Sequence, residues 1–294
     1  MRAVILDERS VLRITGEDAR KFLENVITND VDSLQADQAR FAALLTPQGK
    51  IVADFFIVAA SEDDGGGFLL DVPRALAEDL AKKLGFYKLR AKANVELRAD
   101  LAVAVITEGK ATAELGIVFD DPRHPKLGQR LILPAESAQT DLEAAGFSLG
   151  TSNDYHVVRI AVGVPDGGKD FVYGDAYPHE TDMDQLNGVD FDKGCFIGQE
   201  VVSRMERKAT PKTRVVQVTF ETAPSAGVEV RAGERPAGNM GSAANGTGLA
   251  MLRLDRVHDA LRKGEKITAG GIEISLKKPD WARFAFPGEA GFGA

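Results

Sequence analysis

Two apolar runs, Phe41 to Leu45 and Ile51 to Val58, stand on either side of Thr46-Pro47-Gln48-Gly49. Proline presets φ at the second position of a tight turn and glycine suits its close, so the pattern predicts a β-hairpin and hence an antiparallel sheet. The flanking sequence supplies partners. Val11 to Thr15 reads as a short strand, and Thr15-Gly16-Glu17-Asp18 offers a helix N-cap with acids in the first turn. Ala19, Phe22, Leu23, Val26 and Ile27 then keep the spacing of an amphipathic helix. Beyond the Gly65-Gly66-Gly67 loop, Phe68 to Val72 predicts a strand. Pro73 suits the first turn of a second helix, whose Leu76, Leu80 and Leu84 share a face and which Gly85 ends. Asn94 to Arg98 returns as a strand. The order β-α-β-β-β-α-β describes helices layered on a mainly antiparallel sheet.

A second α+β stretch follows. Leu101 to Thr107, Gly116 to Phe119 and Arg130 to Leu133 read as strands, Asp141 to Ala145 as a short helix closed by Gly146, and Ser152 to Gly163 as a helix with Tyr155, Val158 and Ile160 inward. After Ala209-Thr210-Pro211 the character changes. Thr213 to Phe220, Val228 to Arg231, Leu249 to Leu254 and Ile272 to Leu276 are short strands between glycine-rich turns, the spacing of a small β-barrel or sandwich. The expected division is therefore residues 1–99, 100–210 and 211–294.

Composition narrows the function classes. With 44% hydrophobic and 27% charged residues the chain belongs with ordinary globular proteins. No apolar run is long enough for a membrane span, and the acids of Asp7-Glu8 come too early for a secretory signal, so no membrane partner is expected. A net charge of −8 argues against general nucleic-acid binding. One cysteine excludes an internal disulfide and any zinc site of several thiolates, and four scattered histidines argue against a His-rich metal site, so no metal is expected. A reducing cytoplasm is the expected setting. No coiled coil or long apolar face asks for a second copy, so a monomer is expected. Charge is uneven along the chain. Residues 170–192 carry seven acids and no Lys or Arg, whereas 193–214 carry six bases against Glu200 and Glu206. Such runs form either two solvated faces or a positive patch for an anionic ligand.

The only cysteine lies in Asp192-Lys193-Gly194-Cys195-Phe196-Ile197-Gly198-Gln199-Glu200. Gln199 to Glu206 reads as a helix with Val201, Val202 and Met205 on its apolar side, which puts Cys195 just before a helix N-terminus and beside Lys193. Both features favour thiolate over thiol. An unpaired cysteine is also among the most often buried residues, and then inert. A P-loop, a Rossmann glycine fingerprint, H-E-x-x-H and G-x-S-x-G are all missing from the sequence. A cysteine hydrolase would need a positioned histidine, and the nearest in sequence is His179.

Lys193 to Glu200 resembles the K-G-C-[YF]-x-G-Q-E signature of the YgfZ family, folate-binding relatives of the glycine-cleavage aminomethyltransferase that support iron–sulfur cluster assembly or repair. Gly16 to Leu23 with Thr28-Asn29-Asp30 is similar to that family's N-terminal pattern, Arg159-Ile160 with Gly163-Val164-Pro165 to its R-I-x-x-G-x-P, and Asn239 to Arg253 to its C-terminal barrel. The resemblance implies an α+β fold in which two mixed modules of antiparallel sheet with helices, and a small C-terminal β-barrel, are arranged round a central folate channel.

It further implies tetrahydrofolate, or a one-carbon derivative, as cofactor and transient iron–sulfur cluster proteins or assembly factors as partners. Cys195 and Lys193 become the reactive candidates. A pterin needs acceptors for its N–H groups, for which Asp54, Glu180 and Gln199 qualify. The anionic tail needs cations, for which Arg159, Lys193, Arg204 and Arg207 qualify. An active aminomethyltransferase is the alternative, but its motifs are incomplete. Gly49-Lys50-Ile51-Val52-Ala53-Asp54 keeps one of two paired aspartates, and Arg159-Ile160-Ala161-Val162-Gly163 lacks the glutamate of R-x-E-A-G. A lost carboxylate is a lost candidate for moving a proton.

Overall fold

The computed structural model describes residues 1–36, 38–62, 64–208, 211–289 and 292. The chain forms two units, Met1–Tyr155 with Asn187–Gln199, and His156–Leu186 with Glu200–Ala294.

In the first unit the elements run β1 (Arg2–Ile5), β2 (Arg9–Thr15), α1 (Ala19–Val26), β3 (Ala39–Leu45), β4 (Ile51–Ala59), β5 (Phe68–Pro73), α2 (Arg74–Tyr87) and β6 (Asn94–Arg98). They continue with β7 (Leu101–Glu108), β8 (Ile117–Asp120), β9 (Gln129–Pro134), α3 (Ala138–Ala144), β10 (Ser148–Leu149) and the first residues of α4 (Ser152–Val162). One sheet has the order β3-β4-β5-β2-β6 and is antiparallel throughout. The expected hairpin pairs β3 with β4, from Ala39 opposite Val58 to Leu45 opposite Ile51, and Gly49 closes its turn at φ 82°. Phe22 and Leu23 of α1 and Leu80 and Leu84 of α2 bury against Leu12, Ile14, Phe55 and Leu70 of this sheet.

The other sheet has the order β10-β1-β7-β9-β8, with β1 parallel to β10. Its outer face carries Leu131, Leu133, Leu142 and Phe147 in one apolar cluster. Its inner face meets the first sheet across a buried charged layer. The Asp71 carboxylate of β5 accepts from Arg9 Nε at 2.5 Å and from Arg130 Nε at 2.8 Å. Arg123 holds both oxygens of Asp121, at 3.0 and 2.7 Å, and donates to the Tyr155 hydroxyl. The Arg130 guanidinium lies 4.2 Å from the Phe56 ring centroid. Each buried charge thus has a partner of opposite sign, without which burial would be prohibitive.

The second unit contains the rest of α4, α5 (Gln199–Lys208, from its second residue), β11 (Thr213–Thr219), β12 (Glu229–Ala232), β13 (Arg235–Ala244), β14 (Thr247–Arg253), α6 (Leu254–Arg262), β15 (Ile267–Ala269), β16 (Ile272–Glu273) and β17 (Ser275–Lys277). Its seven strands take the order β16-β15-β12-β13-β14-β11-β17 in a nearly closed barrel. Val216, Val218, Val230, Ala250 and Leu252 fill the interior, and Leu254 and Val257 of α6 complete the core. Gly238 is required in β13: its φ is +148° and a Cβ there would sit 1.9 Å from the Met251 carbonyl oxygen.

Several local expectations are corrected. Gly85 does not end α2, which continues to Tyr87; the left-handed residue after it is Leu89, φ 44°. Asp18 is the N-cap of α1, but its carboxylate accepts from the Lys92 amide instead of capping, and no acid lies in the first turn. Arg159 points inward on α4 beside Tyr155 and Ile160. Strands β1, β10, β13 and β15 and helix α6 were not expected, and the one strand expected over Ile272 to Leu276 is two, β16 and β17. Of the boundary placed at Ala209-Thr210-Pro211, the first two residues lie outside the described residues.

Candidate functional site

The segment 187–198 belongs to the first unit, although sequence separates it from that unit's sheets. What fastens it is Thr28-Asn29-Asp30, the tripeptide just after α1. Thr28 Oγ1 donates to the Gly188 carbonyl at 2.6 Å, and the Thr28 carbonyl accepts from the Asp190 amide at 2.9 Å. Asn29 Nδ2 donates to the Asn187 carbonyl at 2.7 Å and to the Phe41 carbonyl at 2.8 Å. Asp190 Oδ1 then accepts from the amides of Asp192 and Lys193, turning the chain.

Lys193 completes the fastening. Its ammonium donates to three backbone carbonyls, Glu24 at 2.8 Å, Ile27 at 3.0 Å and Asn29 at 2.7 Å, and lies 3.2 Å from Glu24 Oε1. These carbonyls include the end of α1, where a cation both fills unsatisfied acceptors and meets the negative end of the helix dipole. The side chain is 1% exposed. Burial pushes its ammonium below the usual lysine range, and Glu24, Asp30 and Asp190 partly restore it.

Past Lys193 the chain turns outward and back. Gly194 and Cys195 are exposed, Phe196 is buried, and Ile197 packs against the core of the first sheet. Gly198, φ +81°, lies against the β3–β4 hairpin; a Cβ there would stand 2.6 Å from the Thr46 carbonyl oxygen. Helix α5 starts at Gln199, whose amide side chain donates back to the Gly194 carbonyl at 3.3 Å. The only cysteine is therefore the tip of a short loop held at both ends. Of the two readings open for it in the sequence, the structure shows the exposed one.

The remaining candidates are distributed over both units. Asp54 is buried in β4, opposite Ala43, in the same unit as Cys195, Lys193 and Gln199. Arg159, Glu180, Arg204 and Arg207 belong to the other unit. Arg159 is 1% exposed and donates to Asp170 at 2.6 Å, Ser242 at 2.7 Å and the Val164 carbonyl at 3.2 Å. The guanidinium is thus enclosed by its own unit. Glu180 accepts from the Tyr177 amide at 2.9 Å in a capping box. Arg204 and Arg207 are exposed on α5.

Neither of the simple readings of the charge runs holds entirely. Arg214 is buried, with Nη1 2.8 Å from Asp182 and Nη2 2.7 Å from Asp184. Acidic and basic runs therefore meet inside the second unit. Burial pushes the Asp182 carboxyl well above the usual range; Arg214 opposes this and the neighbouring Asp184 carboxylate adds to it. His179 Nε2 meets Glu206 Oε2 at 2.9 Å, so this histidine has a carboxylate partner of its own. Among the described residues His179, Asp184 and Glu206 form one group whose ligand atoms lie within 4.8 Å of one another, close enough for a metal ion. Arg214 already balances Asp184 there.

In the sequence Thr28-Asn29-Asp30 carries only a family likeness and Glu24 no signal at all. The signal was the pairing of two motifs far apart in the chain; which backbone carbonyls Lys193 reaches depends on the fold.

The chain's relatives bear on the same parts. Residues 6–90 match the model of the GCVT N-terminal domain, and residues 212–284 that of the CAF17 C-terminal beta-barrel domain. The glycine cleavage system aminomethyltransferase T of Bartonella henselae superposes with a TM-score of 0.76 over 97% of this chain and 87% of that one, at 16% identity, a likeness of fold. The mitochondrial iron–sulfur cluster assembly factor IBA57 of Homo sapiens is 30% identical over 304 residues, covering 94% of this chain and 84% of its own. Its Mycosarcoma maydis homologue is 32% identical over 225 residues, covering 72% and 55%. The cytoplasmic setting expected from the sequence is overturned by these relatives, which are named as mitochondrial proteins. A lone cysteine reports on redox conditions and does not distinguish one reducing compartment from another. By its similarity over nearly the whole length, the chain belongs to the IBA57 family of iron–sulfur cluster assembly factors.

Proposed function

We propose that this protein is a tetrahydrofolate-binding accessory factor of the YgfZ type for iron–sulfur cluster assembly or repair, in which Cys195 makes transient contact with sulfur, a thiol partner or iron. The observation that carries the reading is the exposed Cys195 on a loop fixed by Lys193 and Gly198. A residue needed only for packing has no reason to be displayed in this way. One thiolate cannot hold a cluster, which takes about four protein ligands, so partners would supply the others.

The folate part rests on the aminomethyltransferase-type fold and on residues of suitable chemistry. Asp54 and the Gln199 amide can accept from pterin N–H groups. Arg204 and Arg207 are exposed cations that can meet carboxylates, whereas Lys193 and Arg159 are occupied within their own units. A bound pterin would present a reduced ring able to carry a one-carbon unit. Transferase activity is not part of the proposal, because Ala53 and Ala161 stand where that family carries acids.

Two measurements test the reading. Tetrahydrofolate at a hundred times its dissociation constant should stabilise the anaerobic protein by roughly 2.7 kcal/mol, a rise of a few degrees in Tm. No shift at millimolar folate removes the folate part. Deleting the gene should lower the activity of iron–sulfur enzymes and spare glycine breakdown; the reverse pattern, or methylene-tetrahydrofolate formed from an aminomethyl-lipoyl donor above background, would point to a transferase.

A further inference from the structure

The end of α2 carries a feature that the cysteine loop does not explain. Residues 81–92 hold five cations and no acid in a chain of net charge −8. Two large apolar side chains stand out among them, Phe86 at 75% exposure and Leu89 at 83%. Beside them α1 and the end of α2 enclose an open groove of about 320 Å³, with Phe22, Val26, Tyr87 and Leu89 as apolar lining and Lys21 and Lys88 among the polar residues.

Leu89 is held at φ 44°, a left-handed conformation that asparagine or glycine adopts readily and leucine adopts at a cost. Neither burial nor backbone geometry calls for a leucine there. Its side chain gains only if something covers it. Some nearby cations are already engaged: Lys82 with Glu78 and Asp79, Lys92 with Glu17, and Lys88 with the Ala93 carbonyl. Lys21, Lys83 and Arg90 have no ion pair among the described residues.

We propose that this groove is a docking site for an acidic segment of a partner protein, which seats an apolar anchor side chain against Leu89 and Tyr87 and lays its carboxylates on Lys21, Lys83 and Arg90. Charge complementarity selects the occupant, since a cationic patch attracts acidic segments even on a protein whose net charge is −8. A second copy of this chain is acidic as well, so self-association enters the test. Concavity favours a side chain over a lipid surface, which would leave the groove and its Asp18 and Asn25 lining unfilled. The inference does not depend on what Cys195 contacts.

The probe is a short fluorescent peptide of glutamate and aspartate around one central phenylalanine, followed by anisotropy against the full chain. Leu89→Asn with Phe86→Ser should weaken binding by about tenfold or more through lost apolar burial. Asparagine suits the left-handed position and both side chains are exposed, so the melting temperature should hold. Arg90→Glu should weaken binding and flatten its salt dependence. Replacing the peptide's phenylalanine by alanine, or its acids by lysines, should abolish binding. The proposal is overturned if the acidic peptide does not bind, if the lysine peptide binds equally, or if the variants bind as well as the parent. It is equally overturned if phosphatidylserine vesicles bind through Leu89 while the peptide does not, or if sedimentation shows a dimer that Leu89→Asn dissolves.

Discussion

Lys193 and Cys195, with only Gly194 between them, occupy opposite environments: the lysine side chain is 1% exposed among the carbonyls that follow α1, and the cysteine is exposed to solvent. The lysine is therefore a tether for the loop. Lys193→Met should leave three carbonyls and Glu24 without their cation and cost about 3 kcal/mol, by the usual penalty for stranded buried acceptors. Urea denaturation measures it, and hydrogen exchange should show the 188–193 amides losing protection first.

Gly198 fixes the other side of the loop. Gly198→Ala puts a methyl group 2.6 Å from the Thr46 carbonyl oxygen at φ +81°, so strain and a displaced loop should together cost about 1–3 kcal/mol. Gly194→Ala, where a Cβ meets nothing within 4 Å, is the control and should change little. Thermal melts of the two variants side by side decide it.

How much of this could be read in the sequence depended on whether the determinants were local. The β3–β4 hairpin was legible because Thr46-Pro47-Gln48-Gly49 encodes its own turn, and α1 because its apolar spacing is uninterrupted. β13 was missed because Pro236, Gly238 and Gly241 look like turn residues, yet Gly238 is there to let β14 approach. Gly85 was misread as a helix end because the terminating conformation falls on Leu89, a residue type that gives no such signal. The importance of the Lys193 motif was legible from its resemblance. Its partners were not, because Glu24, Ile27 and Asn29 come within reach only once the segment has folded back. Arg159 has the residue type a ligand carboxylate needs, but Asp170 and Ser242, distant in sequence or invisible as partners there, already hold it.

The charged layer between the two sheets of the first unit makes a separate claim on stability. Asp71→Asn would leave Arg9 and Arg130 buried without their shared anion and should cost about 3–5 kcal/mol, the range for breaking one side of a buried pair. Chemical denaturation checks it. A loss below about 1 kcal/mol, the level of an exposed pair, would mean that water reaches the layer.

Asp182 provides a test by pH. Burial raises its folded pKa above the unfolded value of about 3.9, so the folded state holds the proton more tightly. Its stabilising contribution is therefore fully present below the unfolded value and is lost as pH rises through the raised folded value. Asp182→Asn cannot titrate. The stability of the parent relative to this variant should fall as pH is raised from about 4. Matched urea denaturations across that range read the difference, and parallel curves would contradict the assignment.

The displayed thiol is what the proposed function most depends on. The decisive measurement is the activity of an iron–sulfur enzyme in cells lacking this gene, restored with either the parent chain or Cys195→Ser, with the amount of each protein quantified. Serine at an exposed loop tip should fold and accumulate like the parent. Activity at the deletion level, with undiminished protein, is the expected result. Full restoration of activity by Cys195→Ser would contradict a working role for the thiol.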